Sequence, residues 1–156
     1  MWRYLWIAAG VFVLDQLTKF LAVEHLMNRG EIPLAPFLNL VLVHNTGAAF
    51  GFLSSAGGWQ NIFFIAVAAG ASAFILWMLW RLRAADRLLA VALTLVLGGA
   101  LGNLADRLIH GYVIDFIDVY YRAWHWPAFN VADSAITIGA ILLVIDALSP
   151  ALRHRS

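Results

Sequence analysis

Residues 62–80 read IFFIAVAAGASAFILWMLW, nineteen positions without a charge. A helix needs about 20 mostly apolar residues to cross the hydrocarbon core of a bilayer, so this stretch predicts a membrane span. The rest of the 156-residue chain has the same character: 63% of it is hydrophobic and 12% charged. A soluble domain is nearer half apolar and about a quarter charged. Seven Trp and ten Phe add more apolar surface than so small a globule can hide. The composition argues against a soluble enzyme, a disordered chain and a nucleic-acid binder, and leaves a polytopic membrane protein. The expected architecture is a single polytopic membrane domain over residues 1–156.

Three further stretches qualify as spans. Residues 4–23 are interrupted by Asp15 and Lys19. Residues 88–105 are broken only by Thr94 and Asn103, and residues 132–148 carry Asp133 near one end and Asp146 near the other. Pro150 is expected to stop the last helix. The apolar run at residues 4–14 has the length of a cleaved signal peptide. Asp15-Gln16-Leu17-Thr18-Lys19 follows it in place of a small-x-small cleavage site, which predicts a retained helix.

The basic residues orient the spans. Arg3 precedes the first, Arg81, Arg83 and Arg87 crowd the link between the second and third, and Arg153 and Arg155 follow the fourth. Six of the ten Lys and Arg thus lie on one side in short segments, where positive charge marks the cytoplasmic face. Both termini are expected in the cytoplasm, with the segments at 24–61 and 106–131 facing outward. In the first outer segment, residues 37–44 read FLNLVLVH and end at Asn45-Thr46-Gly47, which reads as a strand closed by a turn. Residues 113–121 are β-branched and aromatic, so they too are expected to be extended. Trp124, His125, Trp126 and Phe129 suit an interfacial aromatic belt. The fold class is therefore mainly α, four transmembrane helices with a small extracytoplasmic β-containing region at the outer surface.

Ionisable groups at membrane depth cost at least ~2.5 kcal/mol each on insertion scales, so each needs a reason. Asp15 and Lys19, four apart, stack on one helix face and either neutralise one another or serve a site. Asn103, Asp106, Arg107 and His110 fall at i, i+3, i+4 and i+7, a polar stripe at the outer end of the third span. The small residues Gly98-Gly99-Ala100-Leu101-Gly102 precede it and let a neighbouring backbone approach. Packing alone does not call for Asn103. Asn130 is placed to cap the fourth helix, and Asp133 in its first turn gains from the helix dipole. Capping does not account for Asp115 in the apolar run Val113-Ile114-Asp115-Phe116-Ile117. Asp118 competes for any role given to Asp115, and composition and spacing do not decide between them.

With no Cys, disulfides, thiolate metal sites and cysteine nucleophiles are excluded. The chain has no His-Glu-x-x-His and no Gly-x-Ser-x-Gly elbow. Ser54 and Ser55 sit in a Gly-rich loop with no evident base. What remains is a pair of carboxylates at the outer membrane surface. Two Asp sharing one proton can hydrolyse an amide without a metal or other cofactor. One takes a proton from water, and the other polarises the carbonyl and then protonates the leaving amine. Two rivals are a small ion or proton-coupled transporter, with Asp15, Lys19, Asp106, Arg107 and Asp133 as a relay, and a non-catalytic scaffold. A relay needs polar residues in both halves of the membrane, and here they gather on one side.

In order along almost the whole chain, the motifs resemble those of the lipoprotein signal peptidases (signal peptidase II). The matching blocks are Asp15-Gln16-Leu17-Thr18-Lys19, Asn45-Thr46-Gly47-Ala48-Ala49-Phe50, residues 98–107, Gly111-Tyr112-Val113-Ile114-Asp115-Phe116 and Phe129-Asn130-Val131-Ala132-Asp133-Ser134. The resemblance implies that Asp115 and Asp133 are the catalytic pair, ahead of Asp118. It implies that Asn45, Gly47, Gly99, Asn103, Arg107, Asn130 and Ala132 line or support the substrate site, with Asp15 and Lys19 behind them. The implied substrate is a prolipoprotein carrying a diacylglyceryl group on a cysteine, cut just before that cysteine. The implied setting is the bacterial cytoplasmic membrane with its lipid, with the active site on the outer face. Globomycin-type cyclic peptides are the implied inhibitors, and no metal, cofactor or nucleic acid is expected.

Overall fold

A computed structural model describes residues 2–47, 59–83 and 86–153, the last five by their backbone alone. The expectations at Ala48, Ala49, Phe50, Ser54, Ser55 and Arg155 lie outside these residues. After a 3-10 turn at Trp2–Tyr4 the chain forms α1 (Leu5–Leu26), α2 (Trp59–Arg81), α3 (Arg87–Ile109) and α4 (Val131–Arg153). All four are long and apolar enough to cross a membrane. Each outruns its expected span, because apolar composition ends at the first charges while the backbone hydrogen-bond ladder continues past them. The expected stop at Pro150 is corrected: α4 continues through it to Arg153. Proline's fixed φ is compatible with a helix, and the ring removes one N–H without unwinding the last turn.

The central helix is α3. In its apolar window 44% of the residues are buried, against 17–22% for the other three. Its glycines explain this. A Cβ on Gly98 would sit 2.8 Å from Val11 Cβ and 2.7 Å from the Ala8 carbonyl of α1. A Cβ on Gly99 would strike the Ala132 carbonyl of α4. Only residues without a side chain allow backbones this close, and in lipid such van der Waals packing is a main source of helix association. Large apolar side chains such as Trp6, Phe20, Ile62, Trp80 and Ile141 point outward, as an apolar solvent requires.

Between the helices lies one sheet in the order β1 (Ile32–Ala35), β2 (Leu38–Asn45), β3 (Val113–Tyr121), β4 (Trp124–His125), antiparallel throughout. The expected strands are β2 and β3; β1 and β4 were not anticipated. Leu40 pairs with Ile117 and Val43 with Asp115, and the register shifts between them. Such an irregularity re-aims side chains locally. Gly111, at φ +83°, takes the left-handed conformation that ends α3 and turns the chain into β3. Phe116 of β3 packs with Ala22 and Leu26 of α1, flanked by Leu40, Leu42 and Val131. The sheet thereby covers the end of the bundle where α1 and α3 finish and α4 begins. At the other end Ala8, Ile75, Leu79, Ala90, Leu93 and Leu97 form a wholly apolar core.

Candidate active site

Asn130 caps α4. Its Oδ1 accepts the Asp133 N–H at 2.9 Å, and Asp133 Oδ2 accepts the Asn130 N–H at 3.2 Å. This reciprocal box fixes the Asp133 carboxylate over the helix N-terminus. Asp133 Oδ1 accepts from Asn103 Nδ2 at 2.8 Å. Asp115, buried on β3, accepts from Asn45 Nδ2 at 2.9 Å and from Asn130 Nδ2 at 2.7 Å. One buried residue, Asn130, therefore holds both carboxylates, Asp133 through its cap and Asp115 through its amide.

Beneath them lies a second layer of charge. Lys19 Nζ reaches Asp15 Oδ2 at 2.8 Å, Asp106 Oδ2 at 2.9 Å and Asn103 Oδ1 at 3.0 Å. Three donors thus meet three acceptors, the full capacity of an ammonium. Both carboxylates carry on to the backbone beside the candidate pair. Asp15 Oδ1 accepts the Ala132 N–H at 2.8 Å, and Asp106 Oδ2 accepts the Ile114 N–H at 3.0 Å. Gln16 Nε2 donates to Asp106 Oδ1 at 2.9 Å. Gly102, where a Cβ would sit 2.5 Å from Asp15 Oδ2, leaves room for this cluster.

Asp115 and Asp133 line one cavity of about 660 Å³, together with Asn45, Gly47, Asn103 and Arg107. Phe64 of α2, Ile136 and Ile138 of α4 and the segment from Trp126 to Phe129 supply its apolar walls. Arg107 lies 5.0 Å from the Phe64 ring centroid and donates from Nη2 to the Gly47 carbonyl at 3.1 Å. Gly47 N–H in turn donates to Asn45 Oδ1 at 3.0 Å, which sets the amide so that its Nδ2 meets Asp115. Burial pushes the Asp115 carboxyl up to about 7, and the negative charge of Asp133 adds to the shift. The amides of Asn45 and Asn130 oppose it.

Of the site residues expected from the sequence, Asn45, Gly47, Asn103, Arg107, Asp115 and Asp133 line the cavity, while Asn130, Gly99, Ala132, Asp15 and Lys19 are not among its lining residues. Asp118 is not among its lining residues: its carboxylate meets Asn39 and His125 instead. His110, the last member of the expected stripe, is exposed and stacks on Tyr112 at 5.7 Å. The chain is already leaving α3 there, with φ −111° at the C-cap, so the helical spacing no longer holds. Sequence reasoning missed Gln16 and Phe64. Trp126 and Phe129, expected in an interfacial belt, also line the cavity.

A family profile described as signal peptidase (SPase) II matches residues 7–149. The chain belongs to the signal peptidase II family. As a member of that family it is a peptidase, a hydrolase, and its four apolar helices make it a multi-pass membrane protein. It is 54% identical to the lipoprotein signal peptidase of Alteromonas mediterranea over 144 residues, covering 92% of this chain and 79% of that one. Against the lipoprotein signal peptidase of Cupriavidus necator the identity is 50% over 152 residues, 96% of this chain and 86% of the other. A solved bacterial membrane enzyme, determined by the in meso method at 2.3 Å, superposes with a TM-score of 0.84 at 32% identity, covering 97% of this chain and 90% of that one. Another, at 1.9 Å, gives 0.79 at 33% identity, covering 95% and 94%.

Proposed function

We propose that this signal peptidase II is an aspartic endopeptidase that removes the signal peptide from diacylglyceryl-modified prolipoproteins, cutting just before the lipidated cysteine. The observation that supports the mechanism is the convergence of Asp115 and Asp133 on one cavity, both held by Asn130. With Asp115 brought near neutrality, the pair holds a single proton at working pH, as two close carboxylates prefer. The ionised carboxylate removes a proton from water as its oxygen attacks the scissile carbonyl carbon. The protonated one donates to the carbonyl oxygen. As the C–N bond breaks, the proton taken from water passes to the departing amine. No metal takes part. Arg107 lines the cavity, and its guanidinium, a fixed cation with five donors, suits a substrate carbonyl.

The depth suits a lipidated substrate. Asp133 opens α4, and Asp146 lies thirteen residues further on, roughly 20 Å at 1.5 Å per residue, so the pair sits near one interface and not at the midplane. The basic residues around Arg81 and Arg87 put the opposite end in the cytoplasm. On this reading the cavity opens at the outer face of the bacterial cytoplasmic membrane and both termini lie inside, as the distribution of basic residues supports. Globomycin-type peptides are expected to occupy the same cavity. The deciding experiment incubates the purified protein with lipidated and unlipidated prolipoprotein, with and without a chelator. The proposal requires cleavage of the lipidated form alone, unaffected by the chelator. Equal cleavage of both forms, or none, overturns it.

A further inference from the structure

Asp118 is a buried carboxylate that the proposed mechanism does not use. It lies opposite Asn39 in the β2–β3 ladder and accepts from Asn39 Nδ2 at 3.3 Å. The same amide donates to Glu31 at 2.6 Å. On the other side His125 Nδ1 lies 3.0 and 2.9 Å from the two Asp118 oxygens, and the His125 ring stacks on Tyr120 at 5.1 Å and 18°. The side chain of Asp118 is 9% exposed and that of His125 52%, so a half-exposed residue of the hairpin is anchored to a buried acid of the sheet.

The segment that follows is tied by its backbone to β3 at its two ends. β4 has two residues. Past it, the Trp126 N–H donates to the Val119 carbonyl at 2.8 Å, and the next backbone pairing is at Phe129, with Ile117. Pro127 between them has no N–H to give. Trp126, Pro127, Ala128 and Phe129 all line the cavity that holds Asp115 and Asp133.

We propose that the Asp118–His125 pair clamps the hairpin so that Trp126 to Phe129 stand as a fixed apolar wall against bound substrate. Asp118 and His125 are then positioning residues for substrate binding. This rests on the peptidase reading of the cavity. A half-exposed polar contact of this kind adds little to global stability, but it sets the local opening of the segment it ties down. Its loss therefore acts on binding and leaves the chemistry at Asp115 and Asp133 intact.

The test uses the purified full chain and a lipidated prolipoprotein. His125→Gln and Asp118→Asn should each raise KM roughly threefold to tenfold, the scale of one ordinary hydrogen bond, with kcat within about twofold of the parent. Amide exchange at Trp126 and Phe129 should accelerate. Trp126→Ala should raise KM by itself, and adding His125→Gln to it should change KM less than about twofold, because coupled residues do not act additively. Unchanged KM and exchange in His125→Gln, or penalties that multiply in the double variant, overturn the clamp. The exposed His125 carries the test should Asp118→Asn fail to fold. A parent protein that cleaves nothing refutes the peptidase reading, while the exchange comparison still judges the clamp.

Discussion

Asp15 Oδ1 accepts the backbone N–H of Ala132 at 2.8 Å, across 117 positions of sequence. The residue before Asp133 is thereby fixed to α1. Asp106 does the same for the residue before Asp115, through the Ile114 N–H, and Lys19 ties the two supporting carboxylates together. The two carboxylates that line one cavity, Asp115 and Asp133, come from a strand and a helix with no covalent reason to align. This charged layer below them supplies the alignment.

Replacing Lys19 by Met should destabilise the protein by about 3–5 kcal/mol, because it leaves buried charge unpaired. Lys19 is 2% exposed and Asp15 fully buried, so solvent does little to soften the loss. The double change Lys19→Met with Asp106→Asn should recover part of the stability by removing one stranded charge. Thermal unfolding in detergent measures both. A Lys19→Met protein as stable as the parent would show that the layer is not a support.

Asp115→Asn and Asp133→Asn should each lower kcat about a thousandfold, within the range for loss of a general acid or base. The double variant should be little worse than either single one, since residues acting as a unit are not additive. Each protein should remain folded, because Asn keeps the shape and one acceptor oxygen, so each variant loses one of the two side-chain acceptor positions that its carboxylate offers to Asn45 and Asn130, or to Asn103 and Asn130. Single-turnover cleavage of lipidated substrate is the measurement, and near-parent turnover in either variant would remove that residue from the chemistry.

The pH profile follows from Asp115. Its folded value, about 7, lies above the ordinary carboxyl value of 3.8, so its proton is held below neutrality and lost as pH rises through 7. The kcat/KM profile should therefore fall on its alkaline side near pH 7. Asn45 donates to the ionised form and lowers the value. Asn45→Ala removes that donor and should move the alkaline limb to higher pH. A limb that stays put, or moves down, contradicts the assignment.

The spans were legible because nothing but a bilayer suits such composition, and β2 and β3 because their apolar runs end in turn residues. β1 was not, since Ile32-Pro33-Leu34-Ala35 is short and carries a proline, and the two residues of β4 give no pattern at all. Asn130 as a cap could be read locally. The pairing of Lys19 with Asp106 and Asn103 of α3 could not, since they reach it only through the register in which Gly98 and Gly102 let α3 pack on α1. The choice between Asp115 and Asp118 had a signal that was left unused: an odd spacing of three along a strand puts two side chains on opposite faces. In the structure one lines the cavity and the other meets His125.

Gly99 offers the sharpest check on that packing register. A Cβ there would strike the Ala132 carbonyl and come within 2.7 Å of Ile136 Cγ1. Backbone cannot step aside as a flexible side chain can, so Gly99→Ala should push α4 from α3 and cost about 1–3 kcal/mol, the usual penalty of overpacking. Ala132 adjoins Asp133, so turnover should fall as well. Gly70 in α2 is the control, since a Cβ there would meet nothing within 4 Å. Gly70→Ala should be neutral or slightly stabilising, because alanine is the better helix former by about 1 kcal/mol. Unfolding midpoints and cleavage rates for the two variants side by side decide the matter. Equal tolerance at both positions would mean that α3 and α4 do not meet at Gly99.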